Sequence, residues 1–120
     1  MGITYAEVTL RAFNDSGVVY KARFLVDTGA LDCVAPAPEL ERIGVRRRGR
    51  RDYELAYNRR VAFDYGLVQI ELGGEITAGR VVFGPEGAEP IIGVTALETA
   101  SFKVNPVTQE LEKLPASMLK

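Results

Sequence analysis

The sequence predicts a single all-β domain with one or two short helices. Apolar and polar residues alternate through most of the chain, and turn signals containing glycine or asparagine separate the alternating runs. With 120 residues, of which 47% are hydrophobic, the chain is long enough for one core and too short for two lobes. We therefore expect residues 1–120 to form one domain.

The first predicted element is a β-hairpin. Residues 3–13 alternate, residues 14–17 (Asn-Asp-Ser-Gly) give a turn signal, and a second alternating run ends at Asp27. Residues 23–26 are rich in apolar residues and predict a buried strand, and Gly29 marks the sharp turn that follows. Asp27 is therefore expected at a junction between strand and loop.

A short strand, a short helix and a basic segment come next. Residues 31–35 predict the strand, and residues 38–44 predict the helix, with proline near its start and glycine at its end. Residues 45–51 hold five arginines. The simpler interpretation is a solvated loop or a charged edge strand; the alternative is a contact with an acidic substrate or a nucleic acid.

The remaining segments predict strands and one more helix. Residues 53–65 form two alternating runs around an asparagine-centred turn. Strands are predicted at 67–72 and 80–83, joined through two glycines, and at 91–93, followed by a helix at 94–99. Residues 101–104 and 109–114 predict a C-terminal hairpin. These are all short elements, as an all-β domain requires.

Composition excludes several classes of chemistry. The chain has no histidine, which removes Ser-His and Cys-His catalysis, and its one cysteine cannot build a thiolate zinc site. We expect Cys33 to be a buried core residue and expect no metal or cofactor. The net charge of −1 argues against nucleic-acid or membrane binding, and no apolar run reaches the length of a membrane span, so we expect a cytoplasmic protein.

Carboxylate chemistry is what this composition leaves, and Asp27 is the candidate. It follows an apolar run and precedes Thr28 and Gly29. A carboxylate beside apolar residues is costly unless it is hydrogen-bonded, shares a proton or has a function. Gly29 allows a backbone N–H to approach the carboxylate. The simpler alternative is that Asp27 only caps a turn.

Two blocks of sequence resemble the retropepsin-like family of aspartic proteases. The first is Asp-Thr-Gly-Ala at 27–30. The second is the glycine-rich run at 66–85 followed by Pro-Ile-Ile-Gly at 90–93. Together they extend from about Phe24 to Leu97. The resemblance implies a closed β-barrel and an aspartic endopeptidase without a cofactor.

The resemblance also implies roles for individual residues. Asp27 is the catalytic carboxylate, Thr28 holds the loop rigid, and Gly29 and Ala30 line its floor. The hairpin at 53–65 takes the position of the family's flap, which closes over the substrate. The implied contacts with a peptide or protein substrate are Ala30, Ala56, Tyr57, Asn58, Ile91 and Ile92.

Peptide hydrolysis by aspartates needs two carboxyl groups, and the chain contains one Asp-Thr-Gly. A symmetric homodimer would supply the second copy of Asp27 on a two-fold axis. The C-terminal hairpin is a candidate for joining the subunits, as terminal strands do in the family.

The sequence also departs from the family in two places. The glycine-rich flap tip is replaced by Ala56-Tyr57-Asn58, which restricts the backbone torsions there. The charged residues that follow the late glycine in retroviral members are replaced by Val94 and Thr95, and the corresponding position near Leu31 is also apolar. A dimeric peptide-binding protein without turnover, and a binding protein that uses the basic segment at 45–51, remain alternatives.

Overall fold

The computed structural model describes residues 3–116 and residue 119, and about half of these residues lie in β-strands. The strands are β1 (Tyr5–Arg11), β2 (Val19–Asp27), β3 (Cys33–Pro36), β4 (Gly49–Glu54), β5 (Arg60–Leu72), β6 (Glu75–Gly84), β7 (Ile91–Gly93), β8 (Phe102–Val104) and β9 (Leu111–Lys113). The helices are α1 (Ala37–Arg42) and α2 (Val94–Thr99), and one 3₁₀ turn covers Ala56–Asn58.

Six strands close into a barrel. Their order is β1-β2-β7-β3-β6-β5, and β1 also pairs with β5, which joins the two ends of the sheet. Strand β4 pairs with β5 outside this ring, and β8 pairs with β9 in a separate two-stranded sheet. The predicted all-β closed barrel with two short helices is confirmed.

Alternating side chains of the strands fill the barrel. Val8 and Leu10 of β1, Val68 and Ile70 of β5, and Phe24 of β2 are fully buried. Leu40 of α1 and Leu97 of α2 belong to the same hydrophobic core. Cys33 is also buried there, as predicted, and burial raises the pKa of its thiol to about 11.

Most predicted boundaries agree with the structure. Helix α2 has the predicted bounds, and α1 starts and ends within two residues of its predicted range. Strand β5 differs, because it continues through Gly66 where the sequence suggested two separate strands. A Cβ at residue 66 would lie 2.5 Å from the backbone oxygen of Arg46, so this glycine allows close chain packing inside an unbroken strand.

The predicted burial of residues 23–26 was wrong in part. Only Phe24 is fully buried, Arg23 is exposed, and Leu25 and Val26 are partly buried. Strand alternation is the reason, since β2 has one face toward the core and one away from it.

The structure of the arginine-rich segment agrees with the simpler interpretation, a solvated loop and a charged edge strand. Residues 45–48 form a loop, and Arg50 and Arg51 lie on β4, the edge strand of the sheet. Neither helix in the described part of the chain is long and apolar enough to cross a membrane.

Candidate active site

Asp27 is the last residue of β2 and lies beside Gly93, its partner in the parallel pairing of β2 with β7. The N–H of Gly29 donates a 2.9 Å hydrogen bond to Asp27 Oδ1, and the N–H of Ala30 donates to the backbone oxygen of Asp27 at 3.1 Å. Among the described residues, Asp27 Oδ2 has no hydrogen-bond partner. The loop therefore fixes the orientation of the carboxylate and leaves one oxygen available.

The first residues of α2 are hydrogen-bonded to this loop. The N–H of Val94 donates to the oxygen of Ala30 at 2.8 Å, and the N–H of Thr95 donates to the oxygen of Leu31 at 3.4 Å. The first N–H groups of a helix lack partners within the helix, so here the loop carbonyls satisfy them. A Cβ at Gly93 would lie 2.6 Å from the backbone oxygen of Asp32, so glycine is needed for this packing.

Asp27 opens onto a cavity of about 530 Å³ between the active-site loop and the hairpin formed by β4 and β5. The cavity walls are mainly apolar and include Leu31, Val34, Leu55, Phe63, Val82 and Ile91. This volume is within the range of ligand-binding pockets. A carboxylate that has one oxygen without a partner, at the edge of an apolar cleft, can act as a base or as a hydrogen-bond acceptor toward a bound ligand.

A polar contact ties the hairpin to the active-site loop. The hydroxyl of Tyr53 donates a 2.9 Å hydrogen bond to Asp32 Oδ2, and the guanidinium of Arg80 lies 3.6 Å from the same oxygen. The Asp32 side chain is only 8% exposed. This contact was not predicted from the sequence. Alternation along β4 does place Tyr53 on the face opposite Arg50 and Asp52.

The environment of Tyr53 raises the pKa of its hydroxyl from 10.0 to about 12, mainly through burial and then through the hydrogen bond to Asp32. The folded chain therefore holds the Tyr53 proton more tightly than the unfolded chain does. The contribution of Tyr53 to the free energy of unfolding is complete below about pH 10 and is lost as the pH rises through about pH 12.

We expect Tyr53→Phe to lower the free energy of unfolding at neutral pH by about 1 kcal/mol, since one hydrogen bond is lost. The variant should also lose less stability than the wild type between neutral and strongly alkaline pH. Urea denaturation at several pH values measures both effects. Tyr20 and Cys33, whose pKa values are also raised, are present in both proteins, so the difference between the two curves reports the loss of the Tyr53 hydroxyl. Parallel stability curves for the two proteins would contradict the assignment.

The structure brings together some of the predicted site residues. Asp27, Gly29, Ala30 and Ile91 all line the cavity. Ile92 was expected to contact the substrate as well, but it does not line the cavity, because it is fully buried in the barrel core. Its position follows from alternation along β7, since adjacent strand residues face opposite sides.

Ala56, Tyr57 and Asn58 lie at the tip of the hairpin and do not line the cavity in this chain. Tyr57 is 97% exposed, and Tyr57 and Asn58 both have left-handed backbone torsions, with φ of 63° and 59°. Such torsions in residues other than glycine are strained. The hairpin contributes Tyr53, Leu55 and Phe63 to the cavity instead.

A second cavity, of about 520 Å³, lies on another side of Asp27. Its walls include Thr28, the N-terminal residues Ile3 and Thr4, and Pro106 of the C-terminal hairpin. The hydroxyl of Thr4 donates to the oxygen of Gln109 at 2.8 Å, which joins the two terminal segments. The hydroxyl of Thr28 has no hydrogen-bond partner among the described residues.

Within the described ranges, no group of three His, Cys, Asp or Glu side chains is placed to hold a metal ion.

Comparison with known proteins identifies no family. No protein-family model matches the sequence. The chain is similar to a histidine–tRNA ligase of Methylocella silvestris, with 39% identity over 72 residues. That match covers 51% of this chain but only 14% of the ligase, so the chain spans a small part of that protein.

Proposed function

We propose that the protein is a homodimeric aspartic endopeptidase. The observation that carries the proposal is the placement of Asp27, which is held by the Gly29 N–H at the end of β2 and opens onto an apolar cleft beneath a β-hairpin. The resemblance of residues 27–30 and 90–93 to the retropepsin-like family is consistent with the same function. The match to part of a ligase gives no reason to propose aminoacylation, since it covers a small fraction of that protein.

The proposed reaction needs two carboxyl groups that share a proton. One is ionised and activates the attacking water, and the other is protonated and polarises the scissile carbonyl. Asp32 also lines the cleft, but its Oδ2 already accepts from Tyr53 and faces Arg80. Asp32 is thus unsuited to share a proton with Asp27, and the second carboxyl group is assigned to Asp27 of another copy.

Features beside Asp27 support pairing of two copies. Thr28 is exposed and its hydroxyl is without a partner in the described chain, so it is available to a second loop. The neighbouring cavity is bounded by both terminal segments, and Ile3 and Val107 expose 67% and 87% of their surface. Exposed apolar side chains close to an incomplete site are suited to an interface.

The proposed substrate is an extended peptide segment with large apolar side chains. The cleft walls are mainly aliphatic and aromatic, and burial of such side chains supplies binding energy. The edge of β4 also leaves backbone groups available for pairing with an added strand.

The test is cleavage of a diverse peptide mixture from acid to neutral pH at decreasing protein concentration. We expect activity that is highest in the acid range, and a rate that falls more steeply than linearly on dilution because the site exists only in the dimer. A rate proportional to protein concentration down to the lowest dilution would contradict the shared site.

A peptide-binding dimer without turnover is the second candidate. It is favoured by the hairpin tip, where Tyr57 and Asn58 adopt left-handed torsions that limit further movement. Peptide binding with an intact dimer but no cleavage at any pH would select this function over the protease.

A further inference from the structure

A groove on the barrel, remote from Asp27, combines a basic edge with exposed apolar side chains. Its volume is about 430 Å³, and we call it the Phe13 groove after the residue at its rim. Phe13 is 65% exposed and Leu67 is 49% exposed, and Arg46 and Arg48 line the same groove. The groove lies beside the turn that begins β2, and Asp27 is at the other end of that strand, about 26 Å away for an extended chain.

The structure divides four of the five arginines of the basic segment into two groups, and the guanidinium of the fifth, Arg51, lies over the ring of Tyr53. Arg47 pairs with Glu41 and Asp64, and Arg50 also pairs with Asp64. The charges of Arg47 and Arg50 are therefore compensated. Among the described residues, the guanidinium groups of Arg46 and Arg48 have no acidic partner and no hydrogen-bond acceptor, and both side chains are exposed. Their two positive charges are therefore available to a ligand.

The backbone that carries these two arginines is fixed. The N–H of Arg48 donates to the oxygen of Tyr65 at 2.7 Å, and the N–H of Val45 donates to the oxygen of Leu40 at 2.9 Å. The opposite wall is fixed as well, because Asn14 Nδ2 donates to the oxygen of Ile43 at 3.3 Å. A preformed groove reduces the entropy lost when a flexible segment binds.

The lining of the groove determines the chemistry of its occupant. It contains no carboxylate, although Asp15 lies next to Asn14 at its outer end. Two unpaired guanidinium groups favour carboxylates, and Phe13 and Leu67 favour an apolar side chain between them. We propose that the Phe13 groove binds an acidic peptide segment of a partner protein that carries an interspersed apolar residue.

The test is fluorescence anisotropy with a labelled twelve-residue peptide, Glu-Asp-Leu-Glu repeated three times. We expect saturable binding that the double variant Arg46→Glu/Arg48→Glu weakens by about tenfold or more, because both attractive charges become repulsive. Phe13→Ser should weaken binding as well, by severalfold, since an apolar contact is lost. All three substituted side chains are exposed, and circular dichroism checks that each variant remains folded.

The matched control is Arg59→Glu/Arg60→Glu, which makes the same charge change at two exposed arginines outside the groove. We expect this control to change the affinity less than about twofold once salt screens distant charges. Asp27→Asn should leave the affinity unchanged, so loss of the protease proposal would not affect this one. Equal weakening by both double variants, no saturable binding, or tighter binding of an oligothymidine of the same length would each overturn the proposal.

Discussion

Asp27→Asn is expected to abolish peptide cleavage, with a loss of at least about 10³-fold, while the protein stays folded. Such a loss corresponds to about 4 kcal/mol of transition-state stabilisation. The asparagine amide oxygen can still accept the hydrogen bond from the Gly29 N–H, so the loop geometry is preserved. An amide at this position can neither activate water as a base nor share a proton with a second carboxyl group.

Asp52→Asn is the matched control for that variant. Asp52 is exposed on β4, its carboxylate has no hydrogen-bond or ion-pair partner among the described residues, and the substitution makes the same change in charge. Its cleavage rate should equal that of the wild type. Retention of more than about a tenth of the activity in Asp27→Asn would exclude Asp27 as the catalytic carboxylate.

Gly93→Ala is expected to destabilise the fold by about 2–3 kcal/mol, in the upper part of the range for overpacked sites. The added Cβ would lie 2.6 Å from the backbone oxygen of Asp32 and 2.8 Å from that of Leu31. Both neighbours are backbone atoms of the active-site loop and cannot rotate away as a side chain can. The loop must therefore move, and cleavage should decrease together with the free energy of unfolding measured in urea.

Gly79→Ala provides the comparison. Its added Cβ would lie 3.6 Å from Ile70 Cδ1, an ordinary van der Waals distance, and the residue is also in a strand. We expect a change in stability below about 1 kcal/mol, because β-propensity favours alanine over glycine only modestly. Similar effects of the two substitutions would show that contact with the active-site loop is not what makes residue 93 special.

Much of the fold was predictable because its signals are local. Alternation and turn residues located the β1–β2 hairpin and the two-glycine turn between β5 and β6, where Gly73 and Gly74 both adopt positive φ. Helix α2 was predicted with its observed bounds. Local signals did not show that β5 runs unbroken through Gly66, since the close approach of Arg46 to that glycine comes from a distant part of the chain.

The candidate site was predictable only where a motif is continuous in sequence. The loop around Asp27 was found this way. The bond between Tyr53 and Asp32 joins residues 21 positions apart on different elements, and a single sequence carries no sign of that pairing. The same reason explains why the hairpin contributes Leu55 and Phe63 to the cleft, while the predicted tip residue Tyr57 is exposed and does not line it.

The most direct test of the shared active site mixes the wild-type chain with Asp27→Asn in equal amounts at a fixed, high total concentration. After exchange of subunits, random pairing leaves about one quarter of the dimers with two intact carboxylates. If two copies of Asp27 form one site, we expect peptide cleavage to fall to about one quarter of the rate of the wild type alone. A rate of about one half would show that each chain acts independently and would contradict the proposal that two copies of Asp27 form one site.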